Sequence, residues 1–439
     1  MIPTKKVYLL LSLGIILAPT IASFTKVATG ISIILLYDAV ILTLMIIDSL
    51  RARRFRVDIT RELPPRLSIG RDNAVKLEVK SITNTIIKIC DYYPNSFNIN
   101  QSEIRIKVEK DTTSEVTYTA FPTKRGEFNW GDIQIRQLGA WGLGWDNWKI
   151  PQSLKVKVYP DLIGLKSLSI RLTLQSSGSM RQFRQLGIGT EFSELRNYRS
   201  GDDLRLIDWK ATARRVGAGN RSPLVRVLEP EQEQTLLILL DRGRLMTAQV
   251  QGLQRFDWGL NATLSLALAG LHRGDKVGVG VFDRQIHTWI PPERGQHQLS
   301  HLIDRLTPIQ PVLLESDYVG AVTHVIQQHT RRCLIVVITD IIDATASSEL
   351  LSALSRLTPR YLSFCVALRD PQVDAIAHTF TEDVQGAYTR AVALDLMAQR
   401  QVAFANLKGR GVLVLDAPAN QISNELVERY LQLKARNQL

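Results

Sequence analysis

The chain has 439 residues, 45% of them hydrophobic and 22% charged, with a formal net charge of +12. That length exceeds one ordinary core and predicts two or three domains. The charge excludes little by its size, but its placement argues against nucleic acid: seven cations against two acids lie in the first 56 residues, and elsewhere there is no Arg/Lys stripe, recognition helix or aromatic RNA-binding signature.

Two apolar runs open the chain, Val7 to Phe24 and Val27 to Ile47. As helices they would reach roughly 27 and 32 Å, matched to a hydrocarbon core of about 30 Å. Thr25-Lys26 would form a tight turn between them. Lys5 and Lys6 precede the first run, Arg51, Arg53, Arg54 and Arg56 follow the second, and only Lys26 lies on the far side. The positive-inside rule then puts both ends in the cytoplasm of a two-pass protein of the cell membrane. Reading the first run as a cleaved signal peptide, with Ala18 to Ser23 as the cleavage region, still leaves the body inside. Asp38 sits near the middle of the second run, where an ionised carboxylate is costly. It is either a proton, ion or partner-helix site, or a protonated acid bonded to Tyr37, Thr43 or the first helix. With no second acid inside the spans, the structural role is preferred.

From Val57 to about Pro160 short alternating runs such as Val75-Lys76-Leu77-Glu78-Val79 and Ile104-Arg105-Ile106-Lys107-Val108 are punctuated by turn residues. They predict an antiparallel sandwich of immunoglobulin-like type. Trp141, Trp145 and Trp148 around Gly142-Leu143-Gly144 would be a carbohydrate or partner surface, or would close one end of the sandwich. The second reading is preferred.

The densest charge lies between Glu191 and Arg215, where 11 of 25 residues are charged and both signs alternate. Mixed signs cross-link, whereas a single-sign block repels itself. Glu191, Asp202, Asp203 and Asp208 face Arg196, Arg205, Lys210 and Arg214, with Tyr198 and Trp209 interleaved. Functionally this is a docking face or an acid–base site. Structurally, Asp202 caps a turn while Arg205, Asp208 and Lys210 knit a loop onto a sheet. The structural ion network is preferred for most of these residues, and a rigid loop also presents a fixed surface.

Beyond it, continuous apolar strands alternate with amphipathic helices. Strands are expected at Leu236 to Leu240, Lys276 to Phe282, Leu334 to Thr339, Tyr361 to Leu368 and Gly411 to Leu415. Helices are expected at Leu253 to Leu271, Gln296 to Leu306, Asp317 to His329, Ser348 to Leu357 and Ile422 to Ala435. The pattern predicts a parallel sheet covered on both faces. Ligands in such folds sit beyond the carboxyl ends of strands, where Asp241 and Asp340 each follow an apolar run. Cys90, Cys333 and Cys365 form no disulfide framework and read as core thiols in a reducing compartment. No phosphate-binding loop, H-E-x-x-H or G-x-S-x-G occurs, and Gly278-Val-Gly280 falls inside a strand.

The series G-x-E-F-x-x-L-R-x-Y at 189–198, G-D-D-x-R-x-I-D-W-K at 201–210 and T-A-R at 212–214 resembles the signature of the domain-of-unknown-function-58 (DUF58) family. Arg125-Gly126, Tyr159-Pro160, the run 274–283, Pro291-Pro292, Leu368-Arg369-Asp370-Pro371 and the ending 429–436 agree with it in order. The resemblance implies a bacterial or archaeal protein whose C-terminal domain is like von Willebrand factor A. It further implies a metal site of hard oxygen ligands suited to magnesium. Asp241 stands at the first aspartate of that site, Asp340 at the last and Ser316 near the threonine, while Gly243 and Leu245 replace two serines. Arg242 and Arg244 bring positive charge, so a degenerate site with Asp–Arg pairing is expected, without a required cofactor.

The expectation is therefore a multidomain chain: a transmembrane hairpin at 1–56, an antiparallel β-sandwich at 57–161, and a doubly wound von Willebrand A-like α/β domain at 162–439. Its function would be that of an adaptor or scaffold. The resemblance implies a MoxR-type AAA+ ATPase as partner, with membrane clients. The alternatives are a carboxylate-based hydrolase and a metal-dependent ligand-binding domain.

Overall fold

The computed structural model describes residues 1–24, 27–179, 191–216, 222–229, 234–342, 347–380 and 383–436. They divide into two compact units, Met1–Asp161 and Leu162–Leu439. The expected turn at Thr25-Lys26 and the Gly189-Thr190 start of the charged passage lie outside the described residues.

The first unit opens with helices α1 (Lys5–Phe24) and α2 (Val27–Arg54). Among the described residues one helix, Gly30–Arg54, is long and apolar enough to cross a membrane, with a mean hydropathy of 2.4. The Tyr37 hydroxyl donates to the Leu10 carbonyl at 3.2 Å, and Gly14 leaves room for the Tyr37 ring and Asp38. Among the described residues no hydrogen bond joins Asp38 Oδ1 to Tyr37, Thr43 or the first helix. Thr43 donates instead to the Ala39 carbonyl at 2.6 Å, the back-bond one turn away that helical hydroxyls favour. Asp38 Oδ1 is buried with no hydrogen-bond partner among the described residues.

Asp48, near the end of α2, is fully buried. Its Oδ1 accepts from the Trp141 N–H at 3.0 Å, and its Oδ2 from the N–H groups of Leu143 at 2.9 Å and Gly144 at 3.2 Å. Thr4, just before α1, donates its hydroxyl to the Gly142 carbonyl at 2.8 Å and its N–H to the Leu143 carbonyl at 3.1 Å. The turn Gly139–Gly144 is thereby pinned to the start of α1 and the end of α2. Glycine is required at 139, because a Cβ there would collide with the Asp48 carboxylate.

The rest of this unit is three sheets. One runs Ile2–Pro3, Gly144–Ile150, Ile133–Leu138, Thr85–Asp91, Ile104–Val108, antiparallel throughout. A second runs Asp58–Glu62, Asn73–Ser81, Thr112–Pro122, Phe97–Ile99, also antiparallel. The third joins Leu67–Ser68, Leu154–Tyr159 and Gly126–Trp130. Strict alternation along Asn73–Ser81 buries Val75, Leu77 and Val79 and turns Lys76 and Lys80 outward. Asp91 is one of several polar residues buried in this unit. It accepts from the Tyr118 hydroxyl at 2.5 Å, the Arg61 guanidinium at 2.5 Å and the Trp130 indole at 3.1 Å. Asp91 ends a strand of the first sheet, Tyr118 and Arg61 belong to the second and Trp130 to the third, so one carboxylate joins all three. Burial raises the pKa of its carboxyl against the pull of those donors.

Helix α3 (Leu162–Ser179) buries Leu165, Leu168 and Leu172, a stripe at helical spacing. Strands β1 (Glu191–Asn197) and β2 (Leu224–Glu229) pair antiparallel, with helix α4 (Trp209–Val216) between them in sequence. A six-stranded sheet follows, built from β3 (Thr235–Asp241), β4 (Lys276–Phe282), β5 (Ile286–Glu293), β6 (Leu334–Thr339), β7 (Leu362–Arg369) and β8 (Leu413–Pro418). Its order is β5-β4-β3-β6-β7-β8. All neighbours are parallel except β5 with β4. The sheet is therefore mixed, not wholly parallel as expected. Pro291 and Pro292 fit an edge strand, which has a side with no ladder to complete. Gly280 lets β5 close in, since a Cβ there would stand 3.1 Å from the Trp289 ring and 2.8 Å from Leu239.

The helices are α5 (Arg255–His272), α6 (Gln296–Leu306), α7 (Tyr318–Gln328), α8 (Ser348–Leu357), α9 (Pro371–His378), α10 (Val384–Gly409) and α11 (Ile422–Ala435). Side chains alternate across β3, which needs cover on both faces. Leu236 and Leu240 meet α5 at Gly270 and Gly259. Leu237 and Leu239 join a core with Val325 of α7, Leu354 of α8 and Leu407 of α10. Cys333 and Cys365 are buried, and burial pushes each thiol up to about 12.

Candidate functional site

The carboxyl edge of the sheet gathers Asp241 from the end of β3, Thr339 from the end of β6 and Asp340 just beyond it. Asp241 is buried and fully engaged. Its Oδ1 accepts from the Ser316 hydroxyl at 2.5 Å and the Gly243 N–H at 2.8 Å. Its Oδ2 accepts from the Thr339 hydroxyl at 2.7 Å and the Tyr318 hydroxyl at 3.0 Å. Burial raises its pKa, opposed by those four donors. The structure thus brings Asp241 and Ser316 together. Gly243 cannot be a serine here without a shift of the loop, because a Cβ would overlap Ser316 Oγ and stand 2.8 Å from the Leu314 carbonyl.

Asp340 faces two guanidiniums instead of Asp241. Arg255 reaches its Oδ2 at 2.7 Å and Arg400 its Oδ1 at 2.6 Å, and the Ile341 N–H also donates to Oδ1. Arg400 continues to Asp416 at 3.0 Å and to the Ile341 carbonyl. The two acids beside it raise the Arg400 pKa against the opposing effect of burial. Such an arrangement does not fit a divalent cation. The donors on Asp241 and the arginines on Asp340 already occupy the oxygens that would ligate it, and an ion there would meet two like charges. Among the described residues no group of three His, Cys, Asp or Glu side chains is placed to hold a metal. The neutralising arginines are Arg255 and Arg400, which sequence reasoning missed because they lie on α5 and α10, far from the loop. Arg242 and Arg244 turn elsewhere, to Asp283 at 2.7 Å and Glu315 at 2.7 Å.

In the charged passage, Arg196 on β1 holds both oxygens of Asp202, at 2.8 and 2.6 Å, and the Arg199 N–H donates to the same carboxylate at 2.7 Å. Asp203 caps the short turn Leu204–Leu206 by accepting from the Arg205 N–H. Asp208 caps α4 through the Ala211 N–H at 2.9 Å and binds Arg226 of β2 at 2.9 Å. The Tyr198 N–H donates to the Pro223 carbonyl at 2.8 Å. The partners are thus Arg196 and Arg226, while Arg205, Lys210 and Arg214 form no ion pair among the described residues. Arg226 went unnoticed in the sequence because a hairpin partner is not visible from local spacing. The Glu191 backbone pairs with Glu229. With Asp202, Asp203 and Asp208 engaged in local bonds, Leu204 is 65% exposed and Trp209 67% exposed.

A second exposed surface runs along α10. Phe380, Val384, Tyr388, Val392 and Leu396 recur every four residues and are all exposed. Four-residue spacing places α10's members of the set on one side of the helix. At the other end of the chain, Arg51 stacks over the Trp141 ring at 5.5 Å, and Arg53 and Arg54 are exposed.

Residues 194–401 match the family described as "Protein of unknown function DUF58". Uncharacterized proteins of Mycobacterium tuberculosis and Mycobacterium bovis are 22% identical over 214 residues, 48% of this chain. The chain spans 65% of the length of these curated relatives. Among solved structures, conserved hypothetical protein BatB from Bacteroides thetaiotaomicron aligns at 15% identity with a TM-score of 0.33, covering 46% of this chain and 99% of that one. An aerotolerance-related membrane protein from Bacteroides fragilis aligns at 16% identity with a TM-score of 0.31 and the same coverage. At these TM-scores neither likeness bears on function.

Proposed function

We propose that this chain is a membrane-anchored protein-interaction module, an adaptor or scaffold. Its two N-terminal helices cross the membrane, and its folded body faces the cytoplasm. The observation that carries this reading is the outward placement of Leu204 and Trp209 on a segment whose Asp202, Asp203 and Asp208 all serve internal bonds. Carboxylates held by arginine and backbone N–H groups stay ionised, with pKa values lowered for Asp202 and Asp208, and so lack the proton a general acid needs. Large apolar side chains displayed on a rigid loop suit recognition of another macromolecule. The exposed stripe on α10 adds a second contact face of the same character.

The partner proposed is a MoxR-type AAA+ ATPase, on the strength of the DUF58 resemblance, with the protein passing ATPase-driven remodelling to membrane clients. The von Willebrand A-like reading of the α/β unit belongs to the same proposal and is supported by the strand order and the position of Asp241. The hydrolase and metal-dependent alternatives gain no support from carboxylates so fully engaged.

The test uses the full chain in detergent with a purified ATPase of that class. Wild type is expected to bind, and Trp209→Ala combined with Leu204→Ser to weaken binding at least tenfold. Equal binding by both would overturn this docking face. A reporter fused after Leu439 is expected to behave as cytoplasmic, and its export would overturn the topology.

A further inference from the structure

We propose that the turn Gly139–Gly144 is a second membrane contact, in which Trp141 sits among anionic lipid headgroups between Lys6 and Arg51. This inference rests on the reading that α2 crosses the membrane. Three observations carry it.

The first is depth. The apolar run of α2 ends at Ile47, and Asp48 follows it directly. The Trp141 N–H donates to Asp48, and Leu143 and Gly144 are held by the same carboxylate. Whatever level Asp48 takes, the turn takes with it, and the end of an apolar span is the boundary between hydrocarbon and water. The second is chemistry. Trp141 is 45% exposed, whereas Trp145 and Trp148 of the strand that follows are more covered. Indole concentrates at that boundary because its ring is apolar and its N–H is polar. Tyr8, exposed near the start of α1, supplies a second aromatic beside Lys5 and Lys6.

The third is charge. Arg51 lies over the Trp141 ring at 5.5 Å, and the Lys6 ammonium lies next to Gly142, 3.3 Å from where a Cβ would stand. Lys5, Arg53 and Arg54 are exposed around the same helix ends. The acids that touch this turn and its strand are already spent. Asp48 accepts three backbone N–H groups, and Asp146 pairs with Arg56 at 2.9 Å. The local charge is therefore positive and free to meet phosphate.

The full chain would be reconstituted into vesicles of phosphatidylcholine with one quarter phosphatidylglycerol, with bromine placed high on the acyl chains. The fluorescence of wild type and Trp141→Phe is then compared. The exposed ring is not part of the core, so the variant is expected to fold. Quenching in wild type that is mostly lost in Trp141→Phe supports the proposal, as does weaker quenching when phosphatidylglycerol is omitted. Equal quenching in both proteins overturns it, and so does no quenching in a protein that resists carbonate extraction. Quenching that ignores the anionic lipid overturns the phosphate contact. Release of the protein by carbonate would instead overturn the transmembrane reading of α2.

Discussion

Arg61 and Asp91 show how much a single buried pair can hold. The Arg61 guanidinium is fully covered and the Asp91 side chain is 4% exposed. Removing one member of such a pair strands the other without water, at a cost of about 3–5 kcal/mol. Asp91→Ala is expected to lower stability by that order in chemical denaturation of the full chain, whereas Lys157→Ala, whose pair with Glu127 is exposed to solvent, should leave it nearly unchanged. Asp202 and Asp208 give a pH prediction. Hydrogen bonds from Arg196 to Asp202 and from the Ala211 N–H to Asp208 lower both folded-state pKa values. A depressed carboxyl contributes stability above its unfolded pKa, about 3.9, and loses it as pH falls through the folded value. The amide resonances of Arg199 and Ala211 are therefore expected to hold steady down to about pH 4 and to move only below it. Movement centred above pH 4 would contradict the assigned bonds.

At the scale of elements, α10 joins the rim of the sheet to the surface through Arg400. That side chain spans Asp340 and Asp416, so Arg400→Met leaves Asp340 with Arg255 alone and Asp416 with only the more distant Arg369, and is expected to lower stability by about 1–3 kcal/mol. Asp340→Asn, which keeps the shape and removes one charge, should cost less. The edge strand offers a separate check. Gly280→Ala would press a methyl against Leu239 and Trp289, an overpacking cost of about 1–3 kcal/mol seen as a lower midpoint in denaturant. The sequence exposes such elements unevenly. Strands β4 and β6 and helices α6, α8 and α11 occupy the expected residues, because apolar runs and 3.6-residue periods are local signals. Helix α10 escaped notice because its mixed polarity leaves much of its surface exposed, and β5 because Pro291 and Pro292 resemble a loop. The candidate site was half legible. Asp241 follows an apolar run, but the arginines that complete Asp340 arrive only through tertiary packing.

For the whole molecule, the division at Asp161 and Leu162 has a direct use. A fragment of residues 162–439 contains all six strands of the mixed sheet and the helices on both its faces, so it is expected to fold without the N-terminal unit. Circular dichroism and a cooperative thermal transition would check this, and a fragment that melts without cooperativity would contradict it. The same fragment allows magnesium calorimetry free of detergent. No saturable heat is expected there, because Asp241 and Asp340 are engaged as described, and tight binding lost in Asp241→Ala would reverse that assignment.

The Asp91 carboxylate has one more implication. Because a tyrosine and an arginine from one sheet and an indole from another converge on this side chain of a third, it works as a keystone: no layer can peel away alone without stripping the others of a shared support. The smaller unit should come apart in one step, and its layers should vanish together in exchange experiments instead of fraying in sequence.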